Sequence, residues 1–155
     1  MPLIELCQVY LDTVSLALME GNFALYSAAF LLPFRIERAG QEQLVTTRDD
    51  LRAGFESYRA ALHSEGVTDL VRQVQIAEHT YGDAIACIYQ THLLHHGHRV
   101  ADPYGSEMLL QRDGTEWKTV RLSNSLYTTR LVSPPSRSAW GAIAMATPFP
   151  LEDPT

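Results

Sequence analysis

The spacing of apolar positions changes once along the chain, from a helical period in the first half to a strand period in the second. Apolar residues recur every three or four positions over 3–19 and again from 47 to near 66, which predicts two amphipathic helices. From Val67 onward the period is two, which predicts strands near 69–79, 84–94, 106–112 and 116–127. Helices followed by strands indicate an α+β domain whose helices cover one face of a curved sheet.

Turn and cap residues separate these elements. Gly21 ends the first helix, and Asn22 supplies an N-cap for a short helical segment over 23–30 that Pro33 closes. Residues 34–38 alternate as a strand and return over 42–45 through Ala39-Gly40, which predicts a hairpin. Thr47 is the predicted N-cap of the next helix, and the later strands form an antiparallel meander.

The last part of the chain differs in composition from the rest. Residues 133–155 are rich in proline and small side chains, which disfavours both strands and long helices. We therefore predict one domain over 1–132 and a Pro-rich C-terminal tail or arm over 133–155. Trp140 favours an arm that docks on a partner subunit or over a pocket, whereas an untethered tail is the alternative.

The charge of the chain narrows the classes of partner. The formal net charge of −6 argues against nucleic acid, because phosphate binding needs a basic face. No uncharged apolar stretch approaches the roughly 20 residues of a membrane span. The start of the chain has no basic segment, and Glu5 and Asp12 interrupt its apolar pattern. We therefore expect a cytoplasmic protein without a membrane or nucleic-acid partner.

Cysteine and histidine give little support for a metal site. Cys7 and Cys87 both lie in apolar patterns, where a buried, inert thiol is the expected structure. His95, His96 and His98 crowd one turn and lack the separated, oriented ligands of a zinc site. We predict no metal and no cofactor.

The order of the patterns resembles one superfamily. A first helix ending in Glu20-Gly21-Asn22-Phe23, a hairpin, a capped helix and late strands with Asp113-Gly114 before Trp117 are similar to the nuclear transport factor 2-like (SnoaL-like) domains. The resemblance covers residues 3–130 and implies a cystatin-like cone, in which a curved, mainly antiparallel, mixed-edge sheet wraps around the N-terminal helices. The superfamily contains isomerases, dehydratases, cyclases and non-catalytic binding modules, so the fold alone does not fix the chemistry.

The resemblance does not extend to the catalytic groups of the ketosteroid isomerases. Aligned without gaps from Gly21, the position of their catalytic base falls on Arg38 and that of their oxyanion tyrosine on Val14, while their late acid falls on Glu107 or Met108. We therefore exclude steroid isomerisation. A guanidinium with a pKa above about 12 is no base near neutrality but holds carboxylates, enolates or phosphates. Arg38 is thus either a substrate clamp at the cone mouth or an arginine at a hairpin end with its head in solvent.

Polar residues within apolar patterns are the candidates for a binding site. The candidate ligand-pocket residues are Tyr26, Arg38, Tyr58, Tyr89, Thr91 and Asn124. A tyrosine in such a pattern is equally well explained as a core residue with one hydroxyl partner. Glu107 and His92 are the candidate catalytic groups. Strand parity does not settle which way Glu107 points, and His92 shares its face with Gln90, which favours a solvent-facing or subunit-facing position.

Three functions remain open from the sequence. The first is a small-molecule-binding SnoaL-like protein acting as a cofactor-independent isomerase, dehydratase or cyclase on a small apolar carbonyl or acid compound. The second is a non-catalytic ligand-binding or protein-interaction module that forms a homodimer through its sheet face, with Trp117, Thr119, Arg121, Ser123 and Tyr127 as the predicted surface. The third is the small subunit of a ring-hydroxylating oxygenase, which has the same fold and size.

Overall fold

Three helices precede most of a seven-stranded sheet. A computed structural model describes residues 1–38 and 41–124, with the side chain of Arg38 excluded. The predicted tail over 133–155, Trp140 included, lies outside the described residues. The elements in chain order are α1 (Leu3–Glu20), α2 (Phe23–Ser27), β1 (Phe30–Arg38), β2 (Gln41–Val45), α3 (Arg48–Ser64), β3 (Asp69–Thr80), β4 (Ala84–His95), β5 (His98–Arg99), β6 (Tyr104–Asp113) and β7 (Glu116–Ser123).

The strands form one mixed sheet in the order β2, β1, β7, β6, β4, β3, with the short β5 paired to β4. Each described pair of neighbouring strands is antiparallel, except that β1 and β7 run parallel. The hairpin between β1 and β2, the helix after Thr47 and the later strands are confirmed. The predicted α+β class, with helices on one face of a curved and mainly antiparallel sheet, is also confirmed.

The core lies between α1 and the inner face of the sheet. Alternate residues of β4 and β6 are buried on that face, as strand geometry requires. They are Ile85, Cys87, Tyr89, Thr91 and Leu93 on β4 and Tyr104, Ser106, Met108 and Leu110 on β6. From α1, Cys7, Leu11, Val14 and Leu18 are buried against them. Both cysteines are free and buried.

The corner between α1 and α2 depends on a glycine. Gly21 ends α1 with a φ of 77°, a left-handed conformation that glycine adopts without a Cβ penalty. A Cβ there would lie 2.9 Å from the guanidinium carbon of Arg59. The Asn22 side chain then accepts a 3.1 Å hydrogen bond from the backbone N–H of Leu25, so the predicted cap is confirmed.

The predicted second helix was too long. It ends at Ser27, and β1 begins at Phe30 instead of Phe34. The reason is pairing with β7, since Phe30 lies opposite Thr119 and the Thr119 N–H donates to the Ala29 carbonyl at 2.7 Å. Pro33 therefore lies inside a strand, at a break in the register where its missing N–H costs no ladder bond.

A β-bulge divides the predicted dimer surface between two faces. The register of β6 and β7 shifts between Leu109 and Leu110, and a bulge reverses the side-chain alternation that follows it. Thr119 is consequently buried and Trp117 packs against the core beside α1. The predicted grouping of these two residues with Arg121 and Ser123 is therefore wrong, and Tyr127 lies outside the described residues.

Replacing Thr47 by alanine is expected to destabilise the protein by about 1 kcal/mol. The Thr47 hydroxyl accepts a 3.1 Å hydrogen bond from the Asp50 N–H, and its loss leaves one N–H of α3 without that partner. Urea unfolding measures the change. Thr13→Ala is the control, because the Thr13 hydroxyl donates to the Val9 carbonyl at an exposed position within α1. Equal effects of the two substitutions would contradict the capping role.

Candidate functional site

A small cavity lies inside the cone, between the three helices and the inner face of the sheet. Its volume is about 40 Å³, which is room for about three water molecules. Six of its lining residues are aromatic, namely Tyr10, Tyr26, Phe30, Phe34, Tyr58 and Tyr89. Leu11, Val14, Met108 and Leu122 supply aliphatic walls. The lining is therefore mainly apolar with a few polar groups, the composition of a ligand site, although the volume is well below the roughly 300 Å³ at which such pockets usually start.

The aromatic wall is held by ring packing between α2, α3 and β1. The Tyr26 ring lies 4.8 Å from the rings of both Phe30 and Phe55, and the Phe30 ring lies 4.7 Å from that of Phe34. The rings are tilted against one another, an arrangement that their quadrupoles favour. This packing fixes one side of the cavity without any hydrogen bond between side chains.

Among the residues that the structure describes, one charged group lines the cavity, the guanidinium of Arg72 on β3. Arg72 is only 8% exposed, and a buried arginine is normally paired with an acid. Its Nη2 donates to the Tyr58 hydroxyl at 2.7 Å and its Nη1 reaches Ser15 Oγ at 3.4 Å. Its Nε has no hydrogen-bond partner among the described residues, and none of their ion pairs includes it.

Gln8 of α1 fixes the backbone that carries Arg72. Its side-chain amide donates to the Arg72 carbonyl at 2.6 Å and accepts from the Val74 N–H at 2.9 Å. These two bonds hold β3 just before the bulge between Val74 and Ile76. The amide satisfies two backbone groups of β3, which is the last strand in the sheet order, so the position of Arg72 depends on the packing of α1 against β3.

Two tyrosines near Arg72, Tyr26 and Tyr89, remain neutral at physiological pH. Burial raises the pKa of Tyr89 to about 12, although the nearby Arg72 charge acts in the opposite direction. Burial also raises the pKa of Tyr26 above its ordinary value. Burial lowers the pKa of Arg72, but the surrounding tyrosines outweigh that effect and the pKa is raised. The cavity thus combines a permanent cation with neutral hydroxyl donors.

Tyr10 lines the cavity but its hydroxyl is already occupied. It donates to the Ala29 carbonyl, lies 2.7 Å from Thr119 Oγ1 and accepts from the Thr119 N–H at 3.1 Å. These bonds tie α1 to the start of β1 and to β7. Tyr10 therefore has a structural role at the cavity wall.

The structure brings together half of the residues predicted for the ligand pocket. Tyr26, Tyr58 and Tyr89 all line the cavity. Thr91 and Asn124 are buried but do not line it. Asn124 Oδ1 accepts from Ser106 Oγ at 2.6 Å, while Asn124 Nδ2 and Thr91 Oγ1 have no partner among the described residues. The side chain of Arg38 lies outside the described residues.

The two predicted catalytic residues lie on the other face of the sheet. Met108, the neighbour of Glu107, is buried on the inner face, so alternation turns Glu107 outward. Glu107 stands in register with Ile88 and Ser123. His92 is opposite Val71, a 45% exposed residue of β3. Neither Glu107 nor His92 reaches the cavity in this arrangement.

Arg72 was not among the residues predicted from the sequence. Arginines that are scattered among acids along a sequence are usually surface residues. The residues before and after β3 give Arg72 this kind of sequence environment. The signal that identifies it is parity, because Leu70 and Arg72 fall on the same strand face and Leu70 belongs to the apolar pattern. An arginine in register with buried positions is therefore the feature to look for.

Within 1–38 and 41–124, no three histidine, cysteine or acidic residues are arranged to hold a metal ion. No helix in those ranges has both the length and the apolar character needed to cross a membrane.

Solved structures show the same fold at low sequence identity. An NTF-2 like protein of unknown function from Shewanella oneidensis MR-1 aligns with a TM-score of 0.57 and 12% identity over 75% of this chain and 93% of that one. A protein from Erwinia carotovora atroseptica described as ketosteroid isomerase-like gives 0.54 and 18% over 85% and 95%.

A third similar structure is a domain of unknown function with a cystatin-like fold from Nostoc punctiforme, with a TM-score of 0.59 and 11% identity over 79% of this chain and 75% of that one. No protein-family model matches the sequence, and no curated protein matches it. The predicted nuclear transport factor 2-like, cystatin-like fold is confirmed by these structural similarities.

The buried tyrosines are expected to make the protein unstable at high pH. The raised pKa of Tyr89 means that the folded state favours its neutral form. The contribution of neutral Tyr89 to the free energy of unfolding is therefore complete below about pH 10 and is lost as the pH rises to about 12. Tyr89→Phe should remove about 3 kcal/mol of that loss. Urea unfolding at several pH values, with tyrosinate absorbance, measures it. An identical pH dependence in wild type and Tyr89→Phe would contradict the assignment.

Proposed function

We propose that the protein is a small-molecule-binding domain whose site is the cavity inside the cone. The observation that carries the proposal is the composition of the cavity wall, which joins six aromatic residues to one buried guanidinium. Apolar pockets with a few convergent polar groups are the usual form of a ligand site. The rings of Tyr26 and Phe34 would contact the apolar body of the ligand, and the hydroxyls of Tyr58 and Tyr89 would orient it.

Binding without catalysis is the function that this wall favours. Its described residues include no carboxylate, imidazole or thiol, so it lacks the usual groups for proton transfer near neutral pH. Glu107 and His92 would have to act from the opposite face of the sheet. This arrangement supports a binding module more strongly than an isomerase, dehydratase or cyclase.

Catalysis on a small apolar carbonyl or acid compound is the second candidate. It is supported by the hydroxyls of Tyr58 and Tyr89 and by Arg72, which could donate to an oxygen that gains charge in an enolate-like transition state. In that case the proton would move between ligand atoms or through water, since the described wall supplies no base. Turnover of a bound compound would distinguish this candidate from binding alone.

We also propose that the outer face of the sheet pairs two copies of the chain. Val71 and Ile76 of β3 are 45% and 50% exposed, and Ile76 lies in register with Ile88 on the same face. Exposed apolar residues grouped on a sheet face are a feature of homodimer interfaces. The proposal thus places the ligand on the inner face and the second copy on the outer face.

Filling the cavity is expected to abolish ligand binding. Val14 lines the cavity and is 7% exposed, so Val14→Phe should occupy the space at a cost of about 1–3 kcal/mol in stability. A thermal-shift screen with small carbonyl and acid compounds measures binding. A ligand at 100 times its dissociation constant stabilises wild type by about 2.7 kcal/mol, and the same compound should not shift Val14→Phe.

Val71→Phe is the matched control, because the same substitution then falls on the outer face. It should keep the ligand-induced shift, as should Glu107→Gln and His92→Gln. A shift that survives in Val14→Phe, or that disappears in Glu107→Gln, would contradict the placement of the site in the cavity.

Placing a charge on the outer face is expected to separate the two copies. Ile76→Asp would bury a carboxylate in the proposed interface, which opposes association. Sedimentation equilibrium should give a dimer for wild type and a monomer for Ile76→Asp. Tyr81→Asp is the control, since Tyr81 lies in a turn and is 97% exposed. A monomeric wild type would contradict the interface.

A further inference from the structure

We propose that the ligand of the cavity carries a carboxylate and that Arg72 binds it, an inference that rests on the proposed function. The starting point is the charge of Arg72, which is buried and lines the cavity. Guanidinium groups do not lose their proton in proteins. Because the described residues provide no acid for an ion pair with Arg72, an anion from outside is the missing partner.

The hydrogen bonds already made by Arg72 leave donors for such an anion. Only the bond from Nη2 to the Tyr58 hydroxyl, at 2.7 Å, is short. The contact from Nη1 to Ser15 Oγ is long, at 3.4 Å, and Nε has no partner among the described residues. A planar guanidinium with free N–H groups matches the two oxygens of a carboxylate.

The neighbouring tyrosines do not replace this anion. The pKa values of Tyr26 and Tyr89 are raised by burial, so their hydroxyls are neutral under physiological conditions. A neutral hydroxyl accepts one hydrogen bond but brings no charge to a site from which water is mostly excluded. These hydroxyls can instead donate to the same carboxylate or to a second oxygen of the ligand.

The size of the cavity limits the rest of the ligand. A volume of about 40 Å³ accommodates about three waters, which occupy about 90 Å³ in the liquid. A short-chain acid fills such a space, whereas an aromatic ring does not fit, since a cavity that binds benzene has a volume of about 150 Å³. The apolar residues Val14, Phe34 and Met108 face the part of the ligand that carries no charge.

The position of Arg72 indicates a site built for this purpose. Gln8 holds the strand at and just after this residue, through the Arg72 carbonyl and the Val74 N–H. The aliphatic stem of an arginine at the surface would allow its head to reach water, but here the whole residue is only 8% exposed. Binding of a carboxylate would neutralise the charge without moving the backbone.

Matched pairs of acids and amides test the inference. Acetate and propionate are compared with acetamide and propionamide by calorimetry and thermal shift at neutral pH. Each pair has nearly the same shape, but only the acid carries a charge. We expect each acid to bind wild type at least about tenfold more tightly than its amide, because the amide leaves the guanidinium uncompensated. Equal binding of acid and amide would overturn the inference.

Arg72→Met provides the second arm, since methionine fills a similar volume without a charge. It should abolish the preference for the acid and keep the weak binding of the amide. Arg99→Met is the matched control at an exposed arginine of β5, and it should keep the preference. If Arg72→Met does not fold, Arg72→Lys replaces it and should retain a weaker preference, because lysine keeps the charge but not the planar fork.

The outcomes separate this inference from the proposed function. If acid and amide bind equally and Val14→Phe abolishes both, the cavity is a ligand site and the carboxylate inference is wrong. If neither compound of any pair binds wild type, the carboxylate inference fails for acids that fit the cavity. The same result excludes these compounds as ligands of the proposed binding site. Binding of the acids only after Glu152→Gln and Asp153→Asn would show that an acid of the chain itself is the partner of Arg72, which also overturns the inference.

Discussion

Burial of the inner sheet face beneath α1 is the constraint on which the rest of the structure depends. It decides which alternate residue of each strand is enclosed, as for Tyr89 on β4 and Met108 on β6, and it excludes most water from the space between helix and sheet. Three register shifts in the described strands adjust this alternation: between Phe30 and Arg35 of β1, after Val74 of β3, and where β7 meets Leu110. A polar side chain enters the cone only where it is in register with the apolar ones, and there it must find its partners inside.

The polar groups inside the cone differ in how completely they are satisfied. The Tyr10 hydroxyl contacts Thr119 and the Ala29 carbonyl, so it stabilises the contact between α1 and β7. The Arg72 guanidinium has one short hydrogen bond and a charge that no described acid balances. Fully satisfied polar groups make a core rigid and specific, whereas a group with unused donors in a cavity is available to a ligand. This difference separates the part of the wall that is fully hydrogen-bonded from the part to which we assign ligand binding.

Patterns that depend on local chemistry were predicted well from the sequence. The period of α1, the cap at Thr47 and the glycine at position 21 are each set by neighbouring residues, and the fold follows from their order. Predictions that depend on pairing between distant strands were less accurate. Phe30 belongs to β1 because it pairs with β7, and Thr119 lies on the inner face because of the bulge in β7. The outward position of Glu107 and the inward position of Arg72 both follow from the choice of the buried face, which no single strand reveals.

The identity of the buried cation is informative in its own right. Replacing a buried charge by an apolar residue of similar volume is often neutral or stabilising, so packing alone gives no reason for an arginine at position 72. Lysine would bring a charge but could lose its proton on burial, whereas a guanidinium remains charged and keeps its donors in one plane. The bonds that Gln8 makes with the Arg72 carbonyl and the Val74 N–H hold this charge in one position. A fixed, permanent cation with unused hydrogen-bond donors in an aromatic cavity destabilises the folded state but can recognise an anion. This combination is the strongest physical reason to regard the cone as a binding site.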